Sequence, residues 1–180
     1  MNKKNFNIKK FVLIYSIIIF LFGFITHNLY SWAPSFLTVI FPVNESLFEH
    51  LKMIFITPVI TGLILYFIAY SKRINYSNYF FSLYLTVMAN IVLFFALYLP
   101  IYYRFGESMI ITFVIYFISI LLSQYLNALI MTKTKDNFLL NIIGLIMLVT
   151  NYLILLYFTY NPLEVPFFFD TENEVYGIYK

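Results

Sequence analysis

Five long apolar stretches dominate the chain, and short polar or charged segments separate them. Each stretch is close to the ~20 residues that an α-helix needs to cross a hydrocarbon layer ~30 Å thick. We predict membrane-spanning helices at about residues 11–31, 47–70, 79–99, 108–131 and 138–160. The pattern therefore predicts an all-α, polytopic membrane protein whose helical bundle occupies residues 1–160.

The segments outside the apolar stretches carry the residues that interrupt helices. Pro34 and Pro42 separate the first two predicted helices. After the fifth helix, residues 161–180 contain two prolines, an aromatic triplet and a turn-like DTEN sequence. We predict a short non-helical tail here, with a small hairpin that packs on the outer face of the bundle.

Lysine and arginine are concentrated on one side of the membrane in this topology. Eight of these residues share that side: Lys3, Lys4, Lys9, Lys10, Lys72, Arg73, Lys133 and Lys135. Lys52, Arg104 and Lys180 belong to the opposite side. Because short cytoplasmic loops are enriched in basic residues, we predict a cytoplasmic N-terminus and an external C-terminus.

The composition excludes several classes of protein. It is 62% hydrophobic and 11% charged, whereas soluble globular proteins average about 25% charged residues. The absence of cysteine excludes disulfides, thiolate metal sites and a cysteine nucleophile. The chain has no Walker loop, GxGxxG, GxSxG or HExxH motif, and no basic aromatic surface typical of nucleic-acid binding. The predicted partner is the lipid bilayer.

The scarce ionisable residues gather at the predicted outer end of the bundle. His27 lies near the outer end of the first helix, and Asp170 belongs to the tail. The sequence FPVNESLFEHLKM adds Glu45, Glu49 and His50 at the start of the second helix. Because these residues share one predicted depth, we infer an outward-facing polar pocket.

Histidine and carboxylate side chains are suitable ligands for zinc, iron or manganese. We predict His27, His50 and Asp170 as ligands of a divalent metal such as zinc, and Glu45 and Glu49 as catalytic carboxylates. Glu45 and Glu49 are four residues apart and share a helix face. His50 is rotated by about 100° from Glu49, so a residue from elsewhere must complete a site that uses both.

Two further residues are candidate substrate contacts. Asn44 lies beside the acidic residues of the motif, and Arg104 follows the third predicted helix on the same side. The guanidinium of Arg104 has the donor geometry to hold a lipid phosphate. Alternatively, it extends to the membrane surface or pairs with Glu107.

A structural interpretation of the same motif stays open. Ser46 and Glu49 form the pattern of a capping box, in which the glutamate returns to the serine N–H, and Asn44 is an alternative cap. The protein is then non-catalytic, either a small-solute carrier or an accessory subunit that binds a partner through its tail. A carrier requires a continuous polar path that joins the outer cluster to three asparagines of the predicted helices: Asn90, Asn151 and Asn127.

The sequences THNLY, PVNESLFEHLK and PFFFDTENEVYGI resemble a family of small bacterial membrane proteins that is catalogued as a domain of unknown function. These elements lie in the first helix, the second helix and the tail, so the resemblance covers most of the chain. It implies a multi-pass protein of the bacterial cytoplasmic membrane and no particular activity. From the residues themselves, we expect a metal-dependent hydrolase or transferase acting on a lipid or envelope substrate, with the non-catalytic roles as the alternative.

Overall fold

The protein is described by a computed structural model that covers residues 7–32, 34–106 and 108–178, without the side chains of residues 30–35. Lys3, Lys4, Glu107 and Lys180, which entered the sequence predictions, lie outside the described residues. The helices are α1 Ile8–Trp32, α2 Pro34–Leu37, α3 Leu47–Ser71, α4 Tyr79–Phe105, α5 Met109–Lys133 and α6 Phe138–Tyr160. A 3₁₀ turn Pro166–Phe168 and the strands β1 Phe169–Asp170 and β2 Val175–Tyr176 complete the described elements.

Five of these helices are long and apolar enough to cross a membrane, which confirms the predicted fold class. The largest difference from the predicted boundaries is at α4, which continues past Pro100 to Phe105. Neighbouring helices allow membrane-spanning helices to accommodate proline. The helix ends at Gly106, whose φ of 79° is readily adopted only by glycine.

Four of the spanning helices form a closed ring in which α1 and α4 each pack against both α3 and α5. The fifth, α6, packs mainly against α4 and more lightly against α3. One core fills the ring, with Ile19, Ile54, Phe94 and Ile120 among its buried residues. A second core lies between α3, α4 and α6. Because α3 contributes to both cores, it is the spanning helix with the largest buried share.

Small and hydroxylated residues join the helices, as expected where lipid is as apolar as the core. Thr26 on α1 and Thr57 on α3 are hydrogen-bonded at 2.7 Å. Ser82 on α4 donates to the Asn127 amide oxygen on α5 at 2.6 Å. Gly144 on α6 lies directly against the α4 backbone at residues 80–81. These contacts hold the helices together in a setting where apolar burial contributes little.

The C-terminal tail is a non-helical segment, as predicted. Asp170 pairs with Val175 and Phe169 with Tyr176 in an antiparallel hairpin. The tail packs near the start of α3, where the Phe168 ring stacks on Phe48 with centroids 4.4 Å apart. We call this end of the bundle the motif end, defined by residues 42–52.

Candidate metal centre

Three side chains from separate segments meet at the motif end. His27 comes from the last turns of α1, Glu45 from the loop before α3, and His50 from the first turn of α3. The His27 Nε2 atom lies 3.3 Å from Glu45 Oε2 and 3.4 Å from His50 Nε2. The distance from His50 Nε2 to Glu45 Oε2 is 3.6 Å. We call these three residues the metal cluster.

These distances are close to those within a metal coordination sphere. Nitrogen and oxygen ligands about 2.0–2.1 Å from a tetrahedral zinc ion lie about 3.3 Å from one another. The separation of 3.4 Å between the two histidine nitrogens is also long for a hydrogen bond, since N–H bonds cluster near 2.9–3.0 Å. Two imidazole nitrogens and one carboxylate oxygen form a donor set that zinc accepts.

The start of α3 orients the His50 ring towards its two partners. Ser46 caps this helix, and its side-chain oxygen accepts from the Glu49 N–H at 3.3 Å. The Ser46 carbonyl lies 3.0 Å from His50 Nδ1. Because a carbonyl only accepts, Nδ1 carries the proton and a neutral His50 has its lone pair on Nε2. Metal-binding histidines usually have such a partner on the second nitrogen.

The Glu45 carboxylate is ionised in this setting. A hydrogen bond from His27 and the nearby imidazoles lower its pKa below the ordinary value, and they outweigh burial and the Asp170 charge, which raise it. The Glu45 backbone N–H donates to Asp170 Oδ2 at 3.1 Å. Thus the tail fixes the loop that carries Glu45, while the side chain faces the histidines.

Asp170 contributes to this region as an anchor of the tail. The carboxylate is fully buried and accepts from the N–H groups of Glu172 at 2.8 Å and Asn173 at 3.2 Å. Burial raises the pKa of Asp170, but the hydrogen bonds from Asn173, Glu45 and Glu172 lower it by a larger amount. The net pKa is therefore below the ordinary value. All of these partners are groups of the protein. Asp170, predicted as a metal ligand, therefore holds the tail against the loop that carries Glu45.

Asn44 is the second link between the loop and the tail. Its amide nitrogen donates to the Gly177 carbonyl at 2.7 Å, and its amide oxygen accepts from the Ser46 N–H at 2.9 Å. This second bond corrects the capping-box expectation, because Asn44 rather than Glu49 satisfies the Ser46 N–H. Arg104, the other predicted substrate contact, is exposed near the end of α4 with its guanidinium 5.5 Å from the Phe105 ring centre.

Glu49 lies in a second polar network, inside the bundle. Its carboxylate accepts from the Thr159 hydroxyl at 2.8 Å and from the Val43 N–H at 3.2 Å. It is also 3.4 Å from the Lys52 ammonium. Lys52 in turn donates to the Thr38 carbonyl at 2.9 Å. Both charged side chains are 1% exposed, and the network joins α3 to α6 and to the preceding loop.

A cavity of about 340 Å³ begins at the metal cluster and extends into the ring. Its mouth includes the cluster, Asn28 and the exposed acid Glu172. Its inner wall is apolar and aromatic and includes Phe20, Ile54, Phe94 and Tyr116. The volume lies within the range of about 300–1,000 Å³ that is typical of small-molecule sites.

Sequence reasoning missed three contributors to this region. Glu172 lines the cavity and acts electrostatically on His27, although the sequence singled out its neighbour Asp170. Tyr116 lies within α5 and Thr159 in the last turn of α6, and neither residue type carries a local signal there. The turn-like DTEN sequence could have indicated Glu172. In such a turn the aspartate side chain binds backbone N–H groups, so the next acid is the one free to face the cavity.

Comparisons with known proteins assign the chain to a family, but they do not indicate a function. The chain matches a family of unknown function, DUF6512, over residues 1–178. No curated protein and no solved structure matches it significantly. Since the match covers nearly the whole sequence, the chain belongs to this family of unknown function.

Proposed function

We propose that the protein is a membrane-embedded metalloenzyme that hydrolyses or transfers a group on a lipid or envelope substrate. His27, Glu45 and His50 bind one divalent cation, with zinc as the best match to the donor set. The proposal depends mainly on one observation. The donor atoms of these three side chains lie 3.3, 3.4 and 3.6 Å from one another, although the residues come from three separate segments. Three protein ligands leave a fourth position for water or substrate, as in catalytic zinc sites.

The residues take distinct roles in this proposal. A cation held by His27, Glu45 and His50 would polarise an oxygen in the fourth position and would lower the pKa of a water there to near 7. Glu172 lines the same cavity and is the candidate base for that water. Glu45 acts as a ligand, and Asp170 positions Glu45 and Glu172 through the tail. Glu49 stabilises the fold through Lys52 and Thr159.

The proposal includes the bacterial cytoplasmic membrane, with the motif end outside. The described basic residues at the opposite end support this orientation: Lys9, Lys10, Lys72, Arg73, Lys133 and Lys135. Short loops rich in lysine and arginine stay in the cytoplasm. The metal cluster would then draw its cation from outside the cell and act within the outer leaflet.

The contacts of the bundle favour this role over the non-catalytic alternatives. Among the residues that line the described cavity, none is one of the asparagines that a carrier path requires. The Asn151 amide donates to the Met147 carbonyl of its own helix, and Asn127 is bonded to Ser82 and Gln124. The tail is held by Asn44 and by Asp170 within the chain, which leaves it less free to capture a partner.

Elemental analysis of the detergent-purified protein tests the metal proposal. We expect about one zinc ion per chain, and loss of zinc in His27→Ala, Glu45→Gln and His50→Ala variants. Glu164→Gln is the matched control, because Glu164 is an exposed acid of the tail outside the cluster. Glu49→Gln should also retain zinc. A wild-type protein without stoichiometric zinc, or a His50→Ala variant that binds zinc as well as the wild type, would contradict the proposal.

Incubation of the zinc-loaded protein with a bacterial lipid extract tests the catalytic part. We expect mass spectrometry to detect a lipid product that Glu172→Gln reduces by about 100-fold or more, while the zinc content stays at the wild-type level. Absence of any zinc-dependent product in a zinc-binding protein would refute catalysis and leave metal binding intact.

A further inference from the structure

The cavity has one apolar end and one polar end. Along α1, Phe20 and His27 both line it and are seven residues apart, which corresponds to about 10 Å along the helix. The hydrocarbon layer is about 30 Å thick, so the cavity reaches through most of one leaflet. Its deepest residues include Ile54 and Phe94, which are 0% and 2% exposed.

Several lining residues are open to the surrounding lipid. Phe24 on α1 and Met109 and Phe113 on α5 line the cavity, and they are 39%, 70% and 37% exposed. The cavity is therefore bordered by side chains that lipid contacts between α1 and α5. A molecule already in the bilayer can approach from this side without crossing water.

Tyr116 supplies a polar group deep in this apolar cavity. Its hydroxyl is buried and makes no hydrogen bond to the described residues. The Thr57 hydroxyl lies nearby but outside hydrogen-bond geometry with Tyr116, and it is bonded to Thr26 at 2.7 Å. The Tyr116 hydroxyl lies against Gly23, where a Cβ atom would come within 3.0 Å of it, and Gly23 also lines the cavity. An unpaired buried hydroxyl costs free energy, which a ligand oxygen in the cavity would recover.

We propose that this cavity binds one acyl chain of a monoacyl ester lipid, with the ester carbonyl accepting from Tyr116 and the headgroup at the metal cluster. Gly23 lies one helical turn, about 6 Å, from His27 along α1. An ester at Tyr116 therefore leaves room for a small headgroup between the carbonyl and the cluster. The first carbons of the chain contact the aromatic inner wall, and the rest leaves the cavity between α1 and α5, past Phe24 and Phe113.

The volume of the cavity and the charges at its mouth limit which lipids can bind. A cavity of about 340 Å³ is at the small end of ligand sites and suits one chain rather than two. Glu45 and Glu172 carry two negative charges at the mouth, and a divalent cation balances them. A neutral headgroup such as glycerol is then preferred to an anionic phosphate. The choice and the placement of the headgroup both rest on the proposed metal function, whereas the site of the chain does not.

A photoreactive monoacylglycerol with a diazirine in its chain tests the binding site in the detergent-purified full chain. We expect labelling of the peptides that contain Phe20 and Phe94, with competition by unlabelled monoacylglycerol. Thr112 lines the cavity, so Thr112→Phe should reduce labelling by at least about tenfold, because the larger ring displaces buried chain methylenes. Val114→Phe is the matched control, since Val114 is 52% exposed on the same helix and does not line the cavity.

A second substitution covers the case in which Thr112→Phe fails to fold. Met109 is 70% exposed at the cavity mouth, so Met109→Trp should block entry with little effect on the core. Equal labelling in the cavity variants and the Val114→Phe control would overturn the proposal. Labelling confined to peptides outside the cavity would overturn it as well.

Tyr116→Phe tests the hydrogen bond to the ester. We expect about 3- to 10-fold weaker binding of the monoacylglycerol and unchanged binding of the corresponding alkyl ether, which lacks the carbonyl. Tyr15→Phe is the control, because the Tyr15 hydroxyl is also buried without a hydrogen bond to the described residues and does not line the cavity. Equal losses for ester and ether would refute the assignment of Tyr116.

The metal content of the same preparations separates the two proposals. A protein that binds zinc in the metal cluster but is not labelled in the cavity retains the proposed function and refutes the lipid assignment. A protein that is labelled in the cavity but binds no zinc supports the lipid assignment and refutes the proposed metal function.

Discussion

Glu49 and His50 are adjacent in the sequence, but their side chains belong to different networks. The Glu49 carboxylate lies inside the bundle, 3.4 Å from the Lys52 ammonium. The His50 imidazole lies at the cavity mouth, with Nε2 3.6 Å from Glu45 Oε2. The rotation of about 100° between successive helix residues produces this division.

The division gives the motif two separate tasks. Glu49 and Lys52 hold α3 to α6 and to the preceding loop through Thr159 and Thr38. Glu45 and His50 face His27. Substitution of Glu49 or Lys52 should therefore lower the stability of the fold, whereas substitution of Glu45 or His50 should weaken metal binding.

Removal of the buried lysine should destabilise the fold. Lys52→Met leaves the Glu49 carboxylate buried without its charged partner, which typically costs about 3–5 kcal/mol. The Glu49→Gln/Lys52→Met double variant should be less destabilised than Lys52→Met alone, because no unpaired charge remains. Thermal unfolding in detergent measures the difference.

Lys72→Met is the matched control for this experiment. Lys72 is an exposed lysine just after α3, so its removal should change the free energy of unfolding by less than about 0.5 kcal/mol. A Lys52→Met variant as stable as Lys72→Met would show that the buried pair contributes nothing to the fold.

Gly144 should tolerate no side chain. A Cβ atom at this position would overlap the α4 backbone at residues 80–81, whereas a Cβ atom at Gly62 would meet the flexible end of the Leu83 side chain at 2.6 Å. We expect Gly144→Ala to lower the unfolding midpoint by several degrees more than Gly62→Ala, because a backbone yields less easily than a side chain. Equal midpoints would contradict this packing of α6 on α4.

Docking of the tail should depend on the ionised form of Asp170. Because hydrogen bonds hold its folded-state pKa below the unfolded value of about 3.9, its stabilising contribution is complete above that pH. The contribution disappears as the pH falls through the lower folded pKa. The protection factors of the amides of residues 169–177, which correct for the pH dependence of intrinsic exchange, should stay constant down to about pH 4 and fall below it.

The Asp170→Asn variant provides the comparison for the tail. It keeps the shape of the side chain but loses the charge that accepts from Glu45, Glu172 and Asn173. We expect faster exchange already at neutral pH and no acid transition. Exchange identical to that of the wild type would contradict the role of this carboxylate.

Single cysteines test the orientation in the membrane. The chain contains no cysteine, so each introduced residue gives a unique label. With the motif end outside, a membrane-impermeant maleimide should label Glu164→Cys in intact cells and Lys72→Cys only after lysis. The reverse pattern would show that the metal cluster faces the cytoplasm.

The spanning helices were predictable because their signal is local. A stretch of about 20 apolar residues specifies a membrane helix without reference to the rest of the chain, and the observed boundaries of α3, α5 and α6 agree with the predicted ones within two residues. The Ser46 cap was also predictable, since it depends on neighbours three residues apart. The end of α4 was not, because Pro100 can either end or continue a membrane helix.

The polar site was predictable only as a group of residues at one depth. The sequence brought His27, Glu45 and His50 to the same end of the bundle, but the partners of each side chain depend on helix rotation and on the tail. Thr159 is about 110 residues from Glu49, so no local pattern could separate a buried pair from a metal ligand. The tail similarly determines that Asp170 contacts backbone amides while Glu172 faces the cavity.

X-ray absorption spectroscopy at the zinc K-edge of the zinc-loaded protein tests the metal cluster most directly. We expect four nitrogen or oxygen ligands at about 2.0–2.1 Å, with the outer-shell scattering of two imidazoles. His50→Ala should remove one imidazole contribution or the metal itself. A six-coordinate ion without imidazole scattering, or a spectrum unchanged by His50→Ala, would contradict a metal site formed by His27, Glu45 and His50.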